Sequence, residues 1–355
     1  MAQPTVRVRL GFTPDTFTLD DLVRGVLDTG KLGGATTLTD VTSDVQNIAI
    51  NRGRSKDLDS FFTGSASVKL NNNARKYENT NTSSPYYPGI EPFIILHIDA
   101  TTDGGSSYED LFVGFIADIN LSYPDNINSF ATFTGFDAFM KINNTELINQ
   151  SFSSTDSGTL IGSVLDNASV KFSTADRDIE TGVSTMQAIS GLTTNTLNLL
   201  QIIERSENGL LFISKSGKLT FKNRHTTFPS SATITFSDDG SDVPYTSLQY
   251  INDDSEIYNI INLTRTGGST QTKEDVGSQL KYLIRTLTRT GLLNDNDSEV
   301  SSAALFLLGK FKDALLRFDT LEVNLVDLST ANQDKILSSE VGNIVSVELT
   351  PPGTG

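Results

Sequence analysis

The 355-residue chain has no cysteine, no tryptophan and only two histidines. Without thiols, disulfides, thiolate metal sites and a cysteine nucleophile are excluded. His97 and His225 leave little material for a histidine-based triad or metal centre, and no G-x-S-x-G elbow or H-E-x-x-H motif occurs. A sugar-stacking platform would have to use Tyr or Phe. Positive charge is also scarce: 27 Lys and Arg face 43 Asp and Glu, a formal net charge of −16. Nucleic-acid phosphates repel such a chain on average, which argues against ordinary duplex recognition. No apolar run approaches the roughly 18 residues of a spanning helix. The start, MAQPTVRVRLGF, lacks the apolar stretch of a signal peptide.

What is abundant is Gly, Asn, Ser and Thr, a composition suited to short strands joined by turns. Val6, Val8 and Leu10 alternate with Arg7 and Arg9, the pattern of a half-buried strand. Thr18–Leu27 predicts a short helix capped by Thr18. From Thr39 to Thr145 the signal is β: Val45–Arg52, Ser65–Asn71, Phe93–Ile98, Leu111–Tyr123 and Ser129–Ile142 read as strands. Several short strands at this spacing suggest an antiparallel barrel or sandwich. Gln150–Gly158 reads as a polar linker. A small α+β stretch follows, with helices at Leu160–Ala168 and from Asn195, then a hairpin turning at Lys215-Ser-Gly217. Beyond Arg224 the pattern returns to β, with Ile257–Thr266 and Val276–Thr290 as strands. One clear helix opens at Asp297, its stripe being Val300, Ala303, Ala304, Leu307, Leu308, Phe311 and Leu315. Arg317–Asp327 and Asn343–Leu349 read as strands.

Chemical motifs are weak. Gly25–Leu32 has P-loop spacing, but Leu32 stands where Ser or Thr would hold Mg²⁺ and Asp28 would repel phosphate; it reads as a helix end and a turn. The acidic clusters Asp238–Asp242 and Asn294–Glu299 read as a solvated turn and a helix N-terminus rather than Ca²⁺ loops. No spacing selects a catalytic carboxylate pair. The sequence therefore offers no catalytic, cofactor or metal residues. Arg52-Gly53-Arg54 ends a strand and turns the chain. The prolines make Ser84-Pro-Tyr-Tyr-Pro-Gly89 an extended or turn segment, whose tyrosines cover a barrel mouth or a neighbouring subunit.

A spaced string carries a resemblance. It runs through Val45–Ile50 with Arg52-Gly53-Arg54, Leu58-Asp59, Gly64-Ser-Ala-Ser-Val-Lys-Leu70, Pro85-Tyr86-Tyr87-Pro88 and Pro92. It resembles minor tail and tail-hub (baseplate hub) proteins of long-tailed bacteriophages. Weaker echoes lie at Ala188–Arg224 and at Val341-Gly-Asn-Ile-Val with Thr350-Pro-Pro-Gly. Residues 1–40 match nothing firm, and the chain stops where such proteins continue into further strands, so the last barrel is either completed by another chain or atypical.

The resemblance implies a mainly β fold with two antiparallel β-barrel-like domains and an α+β insert. The expected division is 1–40 unassigned, 41–149 the first barrel domain, 150–224 the α+β module, and 225–355 the second β-rich domain with a helix over 298–315. It implies no enzyme and no cofactor, but a homotrimeric, pseudo-sixfold ring in the virion, assembled in the host cytoplasm. Such a ring adapts a sixfold tail tube to threefold tip components and passes DNA without specific binding. Its implied partners are itself, a distal tail or tube-end protein, a tape-measure protein and a tail fibre or tip protein. Candidate interaction residues are Arg52, Gly53, Arg54, Leu58, Asp59, Gly64, Pro85, Tyr86, Tyr87, Pro88 and Pro92, with loops Thr101–Ser107 and Gly267–Lys273 as further contacts. The competing functions are a tail-associated hydrolase and a receptor-binding adhesin.

Overall fold

Alternating apolar residues on seven consecutive strands build the first layer. These are β1 (Thr5–Thr13), β2 (Thr37–Asp40), β3 (Val45–Asn51), β4 (Ser65–Asn71), β5 (Ile95–Thr101), β6 (Glu109–Ser122) and β7 (Phe130–Phe136), paired in the order β2-β1-β5-β6-β7-β4-β3. Every pairing is antiparallel. The computed structural model describes residues 3–13, 37–125, 127–170, 172–226, 231–251, 254–314 and 317–350. The expected Thr18 helix, the Gly25–Leu32 segment and the Pro-Pro-Gly ending lie outside the described residues.

The two edge strands, β2 and β3, are joined by only Val41–Asp44. Five Cα steps reach at most about 18 Å, whereas six strand spacings in a flat sheet span about 29 Å. The sheet is therefore rolled. Val41 N–H donates to Val8 O at 2.9 Å and Val8 N–H to Thr42 Oγ1 at 2.9 Å, fixing the link against β1. No ladder joins the two edges among the described residues, so the form is barrel-like and open. Val8, Leu10, Val68, Leu70, Leu96, Ile98, Phe112, Ile116 and Phe133 fill the inside. One end is stopped by aromatics, with the Phe12 and Tyr86 rings stacked at 4.3 Å and Tyr77 beside them.

The middle stretch carries α1 (Phe139–Asn143), β8 (Glu146–Phe152), β9 (Thr155–Asp156), α2 (Ser157–Leu165), β10 (Arg177–Ile179), β11 (Thr185–Met186), β12 (Ile189–Asn195), α3 (Thr196–Glu207), β13 (Leu210–Ile213) and β14 (Leu219–Lys222). The expected linker at Gln150–Gly158 is ordered: β8 pairs with β12, and Asp156 caps α2 by accepting from Thr159 N–H. Polar Ser and Thr suit the solvent face of a two-stranded ribbon whose other face sets Leu147, Phe152, Ile189 and Leu192 on the core, so polarity there did not mean loop. Asn195 caps α3 as expected, accepting from Asn198 N–H at 3.1 Å. The β13–β14 hairpin turns at Gly217, whose φ of 82° favours glycine. Leu160, Val164, Leu200, Ile203, Leu211 and Phe221 form this core.

The last stretch is three small sheets. One aligns β15 (Ile234–Ser237) in parallel with β16 (Val243–Pro244) and β22 (Val345–Glu348). The second pairs β17 (Ser247–Ile251) with β21 (Arg317–Glu322). The third sets β18 (Ile260–Arg265) between antiparallel β19 (Gln271–Glu274) and parallel β20 (Thr286–Leu292). The expected strand over Val276–Thr290 is corrected. Its first half is the helix α4 (Val276–Tyr282), capped by Asp275, and only its second half enters β20. A parallel β18–β20 pair requires a crossover, which α4 supplies. The helix α5 (Asp297–Phe311) buries Val300, Ala303, Ala304, Leu307, Leu308 and Phe311 of the expected stripe against Ile261 and Leu263, its Asn296 cap accepting from Glu299 N–H; Leu315 lies outside the described residues. A further helix, α6 (Thr330–Ser338), is capped by Ser329.

Truncation separates the inner from the outer face of the rolled sheet. Phe133→Ala, at a fully buried position, is expected to cost about 3–5 kcal/mol. Phe130→Ala, on the half-buried outer face, is expected to cost about 1 kcal/mol or less. Denaturant unfolding of the two variants measures the contrast.

Candidate interaction site at the three-way junction

Arg52 leaves the end of β3 and reaches two distant parts of the chain. Its Nη2 donates to Ile213 O at 2.8 Å and to Glu340 Oε1 at 2.7 Å. Glu340 Oε2 accepts from Lys215 N–H at 2.6 Å, and Lys215 Nζ donates to Leu337 O at 2.6 Å. One guanidinium thus ties the rolled sheet, the β13–β14 hairpin and the segment after α6. Gly53 follows with φ 130°, a conformation closed to most side chains, and its carbonyl accepts from Phe62 N–H at 3.1 Å.

The loop enclosed by Gly53 and Phe62 bridges to α5 and β20. Arg54 donates to Asp57 at 2.9 Å, and Lys310 Nζ lies 3.1 Å from the same carboxylate. Burial opposes ionisation of Asp57, but Lys310 and Arg54 outweigh it and hold its carboxyl below the usual value. Leu58 packs against the α5 cluster while its carbonyl accepts from Arg289 Nη2 at 3.0 Å. Asp59 is exposed. Gly64 begins β4's approach to Asp137: its N–H donates to Asp137 Oδ2 at 2.6 Å, and a Cβ there would lie 2.7 Å from that oxygen. Burial pushes Asp137 up to about 7, against the pull of the Gly64 and Phe139 amides and of Arg52.

Between these elements lies a cavity of about 560 Å³, lined by Arg54, Leu58, Phe61, Glu204, Arg289 and Phe311 among others. Glu204 is buried on α3, with Oε1 accepting from Leu211 N–H at 3.0 Å. Burial pushes its carboxyl up to about 7 despite the Leu211 amide, Ser60 and two nearby arginines. Arg52, Gly53, Arg54, Leu58, Asp59 and Gly64 therefore gather around one junction.

The other candidates lie elsewhere. Tyr86 stacks on Phe12 within its own subunit, and the Tyr87–Pro88 bond is cis. Pro85, Tyr87, Pro88 and Pro92 are exposed. Gly89 lies so close to Phe12 O that a Cβ there would be 1.3 Å away. Loop Thr101–Ser107 is folded around Asp103, whose carboxylate accepts from the Thr101 and Ser107 hydroxyls and the Ser106 amide. The loop is also tied to α6 by the Thr102–Asp334 hydrogen bond.

Sequence reasoning missed a charged cluster across β1, β5 and β6. Asp99 is buried and accepts from Arg7 Nε at 2.9 Å, Arg7 Nη2 at 2.7 Å and Arg9 Nη2 at 2.5 Å. His97 Nε2 lies 2.6 Å from Asp110 Oδ1. The potential ligand atoms of His97, Asp99 and Asp110 are within 4.8 Å of one another. Both Asp99 oxygens, however, already hold guanidinium groups that a cation would have to displace, so the donor set suits a metal poorly. The only early signal was Arg7 and Arg9 on one strand face. The acidic clusters are engaged too: Asp239 and Ser237 hold the Asp238–Asp242 turn, and Asp297 holds Arg265 and Ser269. Among the described residues neither histidine is hydrogen-bonded to a hydroxyl.

No protein-family model matches the sequence, and no curated protein sequence matches it. In fold, the chain is similar to phage tail proteins. The 43 kDa tail protein of prophage MuSo2 from Shewanella oneidensis superposes with a TM-score of 0.51 at 12% identity, covering 86% of this chain and 78% of the other. The tail protein from Neisseria meningitidis MC58 superposes with a TM-score of 0.51 at 10% identity, covering 88% and 78%.

Two outcomes follow from the junction. Arg52→Ala leaves Glu340 without its cation and is expected to cost about 1–3 kcal/mol, with faster proteolysis between residues 330 and 350 as the local readout. Asp137 and Glu204 titrate higher folded than unfolded, so their stabilising contribution is complete at low pH and is lost as pH rises through about 7. Unfolding free energy should therefore fall from pH 6 to pH 8, and this slope should shrink in an Asp137→Asn, Glu204→Gln variant. An unchanged slope contradicts the assignment.

Proposed function

We propose that this chain is a structural hub at the tip or baseplate of a phage tail, acting by shape rather than by chemistry. The observation that carries this is its likeness in fold to a prophage tail protein and a second tail protein over most of its length. The spaced string from Val45 to Pro92 supports the same reading. In this account three copies form a ring, with 41–149 and 225–355 as the two β-rich domains of each subunit and 150–224 as the module between them. Their repetition around the axis gives a pseudo-sixfold collar. The collar joins a sixfold tube end to threefold tip components and contacts the tape-measure protein, and fibre or tip proteins dock outside. Cyclic closure buries the same surfaces in every copy.

The net charge of −16 supports a further part of the account. A lumen lined by Asp and Glu lets DNA slide without sticking, because its phosphates are repelled rather than bound. The virion tail is the corresponding location. A hydrolase instead predicts wall- or capsule-cutting activity by the isolated chain, and an adhesin predicts binding of free protein to host cells.

Negative-stain imaging of purified protein tests the reading. Rings with threefold symmetry, which bind the tube-end protein, are expected. Isolated particles at every concentration, or rings with a lumen lined by Lys and Arg in a subsequent reconstruction, would contradict it.

A further inference from the structure

The junction cavity is lined by four cations, Arg54, Arg205, Arg289 and Lys310, against three acids, Asp57, Asp59 and Glu204, and two of the cations form no ion pair among the described residues. Arg205 projects from α3, with Nε donating to Gln201 O at 3.1 Å. Arg289 comes from β20 and donates to two neutral acceptors, Leu58 O at 3.0 Å and Asn208 Oδ1 at 3.3 Å. Neither forms an ion pair among the described residues, although Asp59 and Glu204 lie within electrostatic reach of Arg289. The other two cations of the cavity, Arg54 and Lys310, share Asp57. In a chain with 43 acidic and 27 basic residues, two adjacent unpaired guanidiniums are costly. Burial and the neighbouring Arg205 charge both disfavour the charged form of Arg289.

The polar atoms left over point the same way. Asn208 Nδ2 is buried without an acceptor, and Glu204 Oε2 is buried without a partner. The Glu204 side chain is itself almost wholly enclosed, with 4% of the residue exposed. Burial favours the protonated form of Glu204, in which Oε2 is a donor rather than a competing charge, and an arriving anion favours that form further. A buried donor left without an acceptor is destabilising. An arriving anion relieves the guanidinium repulsion and offers acceptors to this set. Leu58, Phe306 and Phe311 give the lining an apolar wall beside the charged and polar groups, which include Asp57, Asp59, Ser60 and Asn343. The volume, about 560 Å³, suits a few side chains of a peptide.

We propose that this cavity binds an acidic segment of a partner polypeptide, seating a carboxylate between Arg205 and Arg289 and an adjoining apolar side chain against Leu58, Phe306 and Phe311. A planar guanidinium pairs with a carboxylate through two parallel hydrogen bonds, which makes the contact selective as well as favourable. The apolar wall distinguishes such a segment from a nucleic-acid backbone, which the net charge of the chain also repels. The proposal does not depend on the hub reading, since it concerns one subunit's own cavity.

The test uses the full chain and a labelled, terminally blocked peptide of alternating leucine and glutamate, with binding read by fluorescence anisotropy. The glutamate peptide is expected to bind, and to bind at least about tenfold more weakly when its glutamates are replaced by glutamine. A comparable loss is expected with Arg205→Gln and with Arg289→Gln. Arg205 is exposed, so its variant tests the idea even where Arg289→Gln unfolds the protein. Inorganic phosphate and oligothymidylate should displace the peptide only weakly. Four results overturn the proposal: no binding of the glutamate peptide at millimolar concentration, equal binding of the glutamine peptide, full binding by a folded Arg205→Gln variant, or stronger binding of the oligonucleotide than of the peptide.

Discussion

The Arg52 guanidinium is the constraint on which the arrangement of the chain turns. It sits at the end of an edge strand, yet its two hydrogen bonds go to Ile213 O and Glu340, residues 161 and 288 positions away. Because both partners lie in a partly dry setting, each contact is stronger than the same pair on an open surface. Gly53 then lets the chain turn at once, and the loop to Phe62 carries Arg54, Asp57 and Leu58 onto α5. A short run of residues thus sets the rolled sheet, the middle stretch and the last stretch at fixed positions.

The rolled sheet owes its shape to a four-residue link between its two edges. Among the described residues its seam is open, with β2 and β3 as the two edges. Several ion pairs hold strands together, as where Asp99 receives Arg7 and Arg9 across β1 and β5. The junction cavity is the exception, where cations exceed their counterions. The proposed hub role needs fixed shape and an addressable surface, and these two features are where the proposal looks for them.

Local pattern revealed what local physics decides. The alternation of Ala66, Val68 and Leu70 marked a strand with one buried face, and the stripe from Val300 to Phe311 marked α5. Side-chain caps at Asn195 and Asn296 had recognisable sequence signals. The misreadings share a cause. Val276, Leu280, Leu283 and Ile284 are apolar but exposed, so they imitated a buried strand where α4 stands. In α6 only Gln333 and Leu337 are buried, too few to set a helical period. The parallel pairings of β15 with β22 and of β18 with β20 depend on contacts far apart in sequence, which no local window contains. For the site, Arg52-Gly53-Arg54 and Leu58-Asp59 stood out as a string, but their partners Glu340, Glu204 and Arg289 did not. Each of those is ordinary in its own neighbourhood and becomes informative only when the chain is folded.

If shape is what this chain contributes, the number of copies in its assembled form is the decisive quantity. Native mass spectrometry of the purified full-length protein over a range of concentrations reads that number directly. The account predicts a dominant species of three chains. A protein that remains a single chain throughout, or that assembles only in pairs, contradicts it.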